Sequence, residues 1–146
     1  MKLKRFARAR WQGDVEHGDG MMGLGRDGQE LSFSLASRVE EHRGTNPEEL
    51  LGAAHAGCFS MSLSNLIAER GLTPGHVETT ATVILEQQSG GFAIPRIDLH
   101  VRGTAEGLDA ETFAELAEEA KRTCPLSKVL AAAEITLTAE LIAAGV

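Results

Sequence analysis

Cysteine is scarce: Cys58 and Cys124 are the two thiols in 146 residues, too few for the disulfide framework of a small secreted domain. They form no C-x-x-C pair, which excludes a thioredoxin-type motif and a zinc ribbon. No glycine-rich loop joins a strand to a helix, so the usual backbone cradle for phosphate is missing. Basic residues are outnumbered, 14 against 21 acidic ones for a net charge of -7, and a nucleic-acid or anionic-membrane surface is therefore not expected. The basic start from Met1 to Trp11 is followed by neither an apolar run nor a small-residue cleavage site. It does not read as a secretory signal, and a cytoplasmic location is expected. No repeat of fixed period and no low-complexity segment is present. The length suits one domain covering residues 1–146, with enough chain to bury a core.

What is present is a pattern of strands around two helices. Residues 2–11 are extended and weakly patterned, while Gly18-Asp19-Gly20 and Arg26-Asp27-Gly28 have turn chemistry. Leu31, Phe33 and Leu35 alternate with Ser32, Ser34 and Ala36, predicting a half-buried strand that ends near Arg38. Thr45 or Asn46 can cap a helix with Pro47 in its first turn and Glu48 or Glu49 closing a capping box. Gly71 and Pro74 stop it, so it should run from about Pro47 to Arg70.

This helix has no charged residue from Leu50 to Ala68, enough to raise the question of a membrane span, but three serines, Asn65, His55 and two glycines argue against one. A central helix packed on nearly all sides is the better expectation, with Gly52, Ala53, Ala56 and Gly57 admitting another backbone. One chain of this size is short of cover for it, and a symmetric homodimer would supply the remainder.

Val77 to Leu85 and Ile97 to Val101 alternate around Ser89-Gly90-Gly91, predicting an antiparallel pair with Pro95 at an edge or bulge. Asp109 can cap a second helix whose inward stripe is Phe113, Leu116, Ala117, Ala120 and Cys124. Pro125 then starts a short helix through Leu130, leaving Cys124 at a joint. Ile135, Leu137, Ala139 and Leu141 predict a last strand. The order is β-β-β-α-β-β-α-β, an α+β fold.

Cys58 falls near the middle of the first helix, beyond the reach of the positive end of the helix dipole, so its activation as a thiolate needs another cation. Three readings compete at this point. Both cysteines can be inert core residues. His55, three residues before Cys58, can share a metal ion with Cys58 and Cys124, although the spacing lacks a second paired motif. A Cys-His hydrolase is the third, but His17, His42, His76 and His100 stand in unremarkable turn or strand contexts.

The segment from Arg38 to Met61, containing Gly44-Thr45-Asn46-Pro47-Glu48-Glu49-Leu50 and Ala54-His55-Ala56-Gly57-Cys58-Phe59, closely resembles the OsmC/Ohr family of thiol-dependent hydroperoxide reductases, on the OsmC side. Gly91-Phe92-Ala93-Ile94, Thr123-Cys124-Pro125-Leu126-Ser127 and Glu134-Ile135-Thr136-Leu137 extend the resemblance along nearly the whole chain. It implies an intertwined α+β homodimer with antiparallel sheets, a central buried helix and active sites at the subunit interface. Cys58 is similar to the family's peroxidatic thiol and Cys124 to its resolving thiol, with Arg38 and Glu48 in the matching charged positions. Glu49 lies out of register and reads as a capping residue. Gly25-Arg26-Asp27-Gly28 is similar to the Ohr branch's arginine-bearing turn, but the residues around Arg38 follow the OsmC pattern.

The residue chemistry agrees with those implied roles. A guanidinium favours the thiolate that must attack a peroxide oxygen, and a carboxylate can orient the guanidinium. A sulfenic acid on Cys58 can then condense with Cys124, and a dithiol of lipoyl or other type reopens the disulfide. No metal, haem or flavin is required. Apolar surroundings favour an organic hydroperoxide over hydrogen peroxide. A non-enzymatic redox sensor or ligand-binding module switched by a Cys58–Cys124 disulfide is the alternative.

Overall fold

The computed structural model describes residues 1–143. The chain forms two compact units, Met1–Leu50 and Leu51–Val146.

In the first unit β1 (Ala7–Gln12), β2 (Asp19–Leu24) and β3 (Glu30–Phe33) make an antiparallel sheet in that order. The β1–β2 turn lies at residues 13–18 rather than at Gly18-Asp19-Gly20, because Asp14 Oδ1 accepts the Glu16 and His17 amides at 2.9 Å each and so builds a tight Asx-type turn. Asp19 and Gly20 consequently enter β2. The Trp11 and Phe33 rings meet across the sheet, centroids 5.3 Å apart and tilted by 51°, in the offset range that aromatic pairs prefer.

The strand predicted to end near Arg38 stops at Phe33, and Arg38 sits instead on α1 (Leu35–Val39). Ser34 and Ser37 form a reciprocal capping box, with Ser37 N–H donating to Ser34 Oγ at 3.1 Å and Ser34 N–H to Ser37 Oγ at 2.9 Å. These local bonds offer the backbone a helical start just where the side-chain alternation would carry a strand onward.

The long helix α2 (Pro47–Glu69) begins in the first unit and continues into the second, with Pro47 at its first position as predicted. Asn46 Oδ1 accepts the Glu49 N–H at 2.8 Å, and Thr45 Oγ1 donates to Glu49 Oε2 at 2.8 Å. Glu49 is thereby a capping residue, and such a cap is worth about 1 kcal/mol.

The second unit carries β4 (Pro74–Gln88), β5 (Gly91–Ala105) and β6 (Glu134–Leu141), with β5 central. β4 and β5 form the predicted hairpin, turning at Ser89-Gly90, and Gly91 opens β5 at φ +119°, a conformation that favours glycine. Pro95 falls at the predicted irregularity, where the register shifts between Ile84 and Glu86. β6 pairs with β5 in parallel, so this sheet is mixed rather than purely antiparallel. The crossover through α3 (Ala110–Thr123) and α4 (Pro125–Val129) returns the chain to the same end of β5, as a parallel pair requires.

Asp109 caps α3 by accepting Thr112 N–H at 2.8 Å, and Phe113, Leu116, Ala117 and Ala120 are buried as the stripe predicts. They share one core with Ile97, Leu99 and Val101 of β5 and with Phe59, Leu63 and Ile67 of α2.

Within one chain α2 is not packed on nearly all sides. Its buried stripe is Gly52, His55, Phe59, Leu63 and Ile67, while Ala53, Ala54, Gly57, Met61 and Ala68 are exposed, Met61 at 77%. Gly52 lies against β4, where a Cβ would stand 3.4 Å from the Ala81 carbonyl oxygen. Gly57 has open space around it. Among the described residues α2 is the one helix long and apolar enough to cross a membrane, and its stripe is part of the second unit's core.

Candidate active site

In the second unit, Cys58 and Cys124 are brought together from 66 residues apart, with their Sγ atoms 3.1 Å from each other. Cys58 projects from the middle of α2 and is partly exposed, and Cys124 is fully buried. Cys124 takes ψ 126° between α3 and α4 because a following proline disfavours the α region for the residue before it. Its N–H still reaches Ala120 O at 2.8 Å, so Pro125 turns the residue out of the helix without releasing it.

Burial pushes the Cys58 thiol above its ordinary pKa, the hydrogen bond with Cys124 adds to this, and the Leu126 N–H opposes it. Cys58 therefore depends on a cation to ionise near neutrality.

In the first unit, Arg38 and Glu48 are paired. Arg38 Nη2 donates to Glu48 Oε1 at 2.6 Å, and Nε donates to Oε1 and Oε2 at 3.0 and 3.1 Å. This is a two-point guanidinium–carboxylate contact, which fixes orientation as well as charge. The Glu48 side chain is 9% exposed and that of Arg38 36%. Local stitching holds the partners: Ser37 Oγ donates to Thr45 O at 2.7 Å, and Asn46 Nδ2 donates to Ser37 O at 3.0 Å. These bonds tie α1 to the start of α2. A cavity of about 290 Å³ adjoins Arg38, walled by Trp11, Val15, Phe33, Leu35 and Pro47.

Sequence reasoning did not single out Ser37, Asn46 as a stitch, or Ser127. Ser127 Oγ lies 2.7 Å from His55 Nε2, and both side chains are buried. The metal and hydrolase readings looked to histidines that are engaged elsewhere. His55 is turned to Ser127, while His17, His76 and His100 lie beside the carboxylates of Asp14, Glu78 and Glu140. Arg26 is placed over the Phe6 ring, 5.2 Å from its centroid.

Fold and thiol pair together define a class of α+β protein in which a helix-borne cysteine meets a second cysteine at a helix joint. The chain belongs to the OsmC-like protein family, which residues 40–140 match. It is 43% identical over 143 residues to Peroxiredoxin OsmC of Escherichia coli strain K12, covering 97% of this chain and 99% of that protein. It is 30% identical over 102 residues to the organic hydroperoxide resistance protein OhrB of Bacillus subtilis strain 168, covering 67% of this chain and 73% of that one. The crystal structure of an OsmC-like protein from Mycoplasma pneumoniae superposes with a TM-score of 0.76 at 16% identity, covering 98% of this chain and all of that one. At that identity the likeness is one of fold.

Proposed function

We propose that this protein is a thiol peroxidase that reduces organic hydroperoxides, and hydrogen peroxide less well, in defence against oxidative stress. The observation that carries the reading is the 3.1 Å contact between Cys58 and Cys124, together with relatives named peroxiredoxin and organic hydroperoxide resistance protein.

The Cys58 thiolate attacks one peroxide oxygen, the O–O bond breaks, and the departing oxygen leaves as an alcohol after taking a proton. Cys58 is now a sulfenic acid. Cys124 attacks its sulfur, a disulfide forms, and water leaves. A lipoyl-type or other dithiol reduces the disulfide and closes the cycle. Arg38 stabilises the thiolate and the departing oxygen, and Glu48 orients Arg38. The apolar wall beside Arg38 supports a preference for substrates with a hydrocarbon tail.

The functional unit is a homodimer with the sites at its interface, and the residues form one OsmC-like domain within it. The exposed face of α2, small at Ala53, Ala54 and Gly57 and with the large apolar Met61 beside them, supports the pairing. A cytoplasmic setting suits the cycle, because a reducing compartment returns both cysteines to thiols.

Supplied with a dithiol reductant, the protein should consume cumene hydroperoxide over many turnovers and faster than hydrogen peroxide, and Cys58→Ser should abolish consumption. One stoichiometric oxidation without turnover would favour the redox-sensor reading, in which the cysteine pair itself is the signal.

A further inference from the structure

Beside the two thiols stands a second buried pair that the peroxide chemistry does not use. His55 and Ser127 are the buried polar side chains of the second unit among its described residues. Ser127 Oγ lies 2.7 Å from His55 Nε2, across 72 positions of sequence. His55 precedes Cys58 by one turn of α2, and Ser127 stands in the first turn of α4, just after Cys124. Apolar residues would fill this space without the cost of desolvating an imidazole and a hydroxyl, so packing alone does not account for the pair. The other ring nitrogen, Nδ1, has no hydrogen-bond partner among the described residues. A buried lone pair is left alone at less cost than a buried N–H, which places the proton on Nε2, where it is donated to Ser127 Oγ.

The joint that carries Cys124 is otherwise held by its own backbone neighbours. Cys124 N–H donates to Ala120 O at 2.8 Å and Lys128 N–H to Cys124 O at 3.1 Å, and neither bond reaches α2. Pro125 has no N–H to donate, and α4, with five residues, is too short to be stiff by itself. Leu126 packs against the core, but apolar contacts carry no direction. Among the described residues two side-chain hydrogen bonds run from α2 to this joint, the thiol contact and the His55–Ser127 bond. The first is lost when either sulfur reacts. The second contains no sulfur, so oxidation leaves its donor and acceptor unchanged.

We propose that the His55–Ser127 bond is a redox-independent tie that keeps Cys124 within reach of Cys58 once Cys58 is oxidised, which makes His55 and Ser127 positioning residues for closure of the disulfide. This rests on the peroxidase reading for the species formed on Cys58. In that step the Sγ–Sγ bond forms, the S–O bond of the sulfenic acid breaks, and the oxygen leaves as water with the proton of Cys124. The tie exchanges no proton or electron. It sets the effective concentration of one sulfur at the other.

Glutathione buffers measure that quantity without peroxide. There the Sγ–Sγ bond forms, the S–S bond of glutathione disulfide breaks, and the two thiol protons end on two glutathione molecules. Acid-quenched, alkylated protein is counted as dithiol or disulfide by intact mass. Ser127→Ala and His55→Leu should each lower the equilibrium constant for the disulfide about fivefold. The double variant should fall no further than either alone, because all three lack the same bond. His55→Gln, whose amide can donate in place of Nε2, should stay within about twofold of wild type. A bond that only stabilised the fold would support the reduced and oxidised forms alike and leave this constant unmoved. Thermal melts establish which variants fold, and His55→Leu serves if Ser127→Ala does not. A folded Ser127→Ala or His55→Leu protein with an unshifted constant overturns the proposal. So does wild-type protein that forms no Cys58–Cys124 disulfide in any of the buffers. Protein that shifts as expected yet consumes no peroxide supports the tie and overturns the peroxidase reading.

Discussion

Replacing Glu48 by glutamine separates an oriented guanidinium from a merely nearby one. The substitution keeps the size of the side chain but replaces one carboxylate oxygen by an NH2 group that faces the donors of Arg38. At least one of the three contacts, which lie at 2.6, 3.0 and 3.1 Å, must be lost. Charge-assisted bonds contribute about 1.5–3 kcal/mol each when buried. Arg38 is 36% exposed and can turn its freed end to water, so the loss in stability should be near about 1 kcal/mol, or about 3–4 °C in Tm. The effect on chemistry should be larger than that on the fold. If a misaligned guanidinium raises the Cys58 thiol by about one further unit, about tenfold less thiolate is present at neutral pH. The rising limb of kcat/KM against pH should then move to higher pH, with activity recovering in alkali. Peroxide consumption with a dithiol reductant from pH 6 to 9, beside a thermal melt, measures both. A lowered Tm with an unmoved pH profile would refute the reasoning and leave the ion pair a purely structural link between α1 and α2.

Cys124→Ser should leave Cys58 as a sulfenic acid with no partner, so that repeated peroxide pulses drive it to sulfinic acid, visible as two added oxygens in intact mass spectra. His55, whose burial lowers its pKa, binds a proton more readily in the unfolded chain. Stability should therefore fall as pH drops below about 6.5, and His55→Gln should flatten that slope in denaturant titrations. Carboxylates held low, such as Asp98 beside Arg96, act only at more acidic pH. Met61→Glu on the exposed face of α2 should shift the molecular mass in light scattering from dimer to monomer, whereas a variant that stays dimeric would place the interface elsewhere.

Much of the framework was legible in the sequence because it rests on local rules. Asn46 and Pro47 set the start of α2, Asp109 that of α3, and Pro125 the break that frees Cys124 from its helix. The alternation in β4 and β5 was also clear, since one face of β5, Ile97, Leu99 and Val101, is fully buried. Arg38 was assigned to the wrong element because α1, at five residues, is too short to show a helical period. Its signal is a pair of serines rather than the usual Ser and Glu. The parallel seating of β6 and the His55–Ser127 bond depend on where the crossover delivers the chain, which no local pattern records. The expectation that α2 is packed on nearly all sides came from its lack of charge, which does not tell a buried face from the exposed one that carries Ala53, Ala54, Gly57 and Met61.

The sulfurs of Cys58 and Cys124 are already neighbours before any oxidant arrives. Joining them asks for a sideways nudge of about 1 Å, with no helix to melt and no loop to swing. A signalling relay works by looking different in its two states, and this one would look nearly the same in both. What such closeness would favour instead, in the peroxidase cycle proposed above, is speed: a sulfur oxidised at Cys58 would be covered almost as soon as it formed.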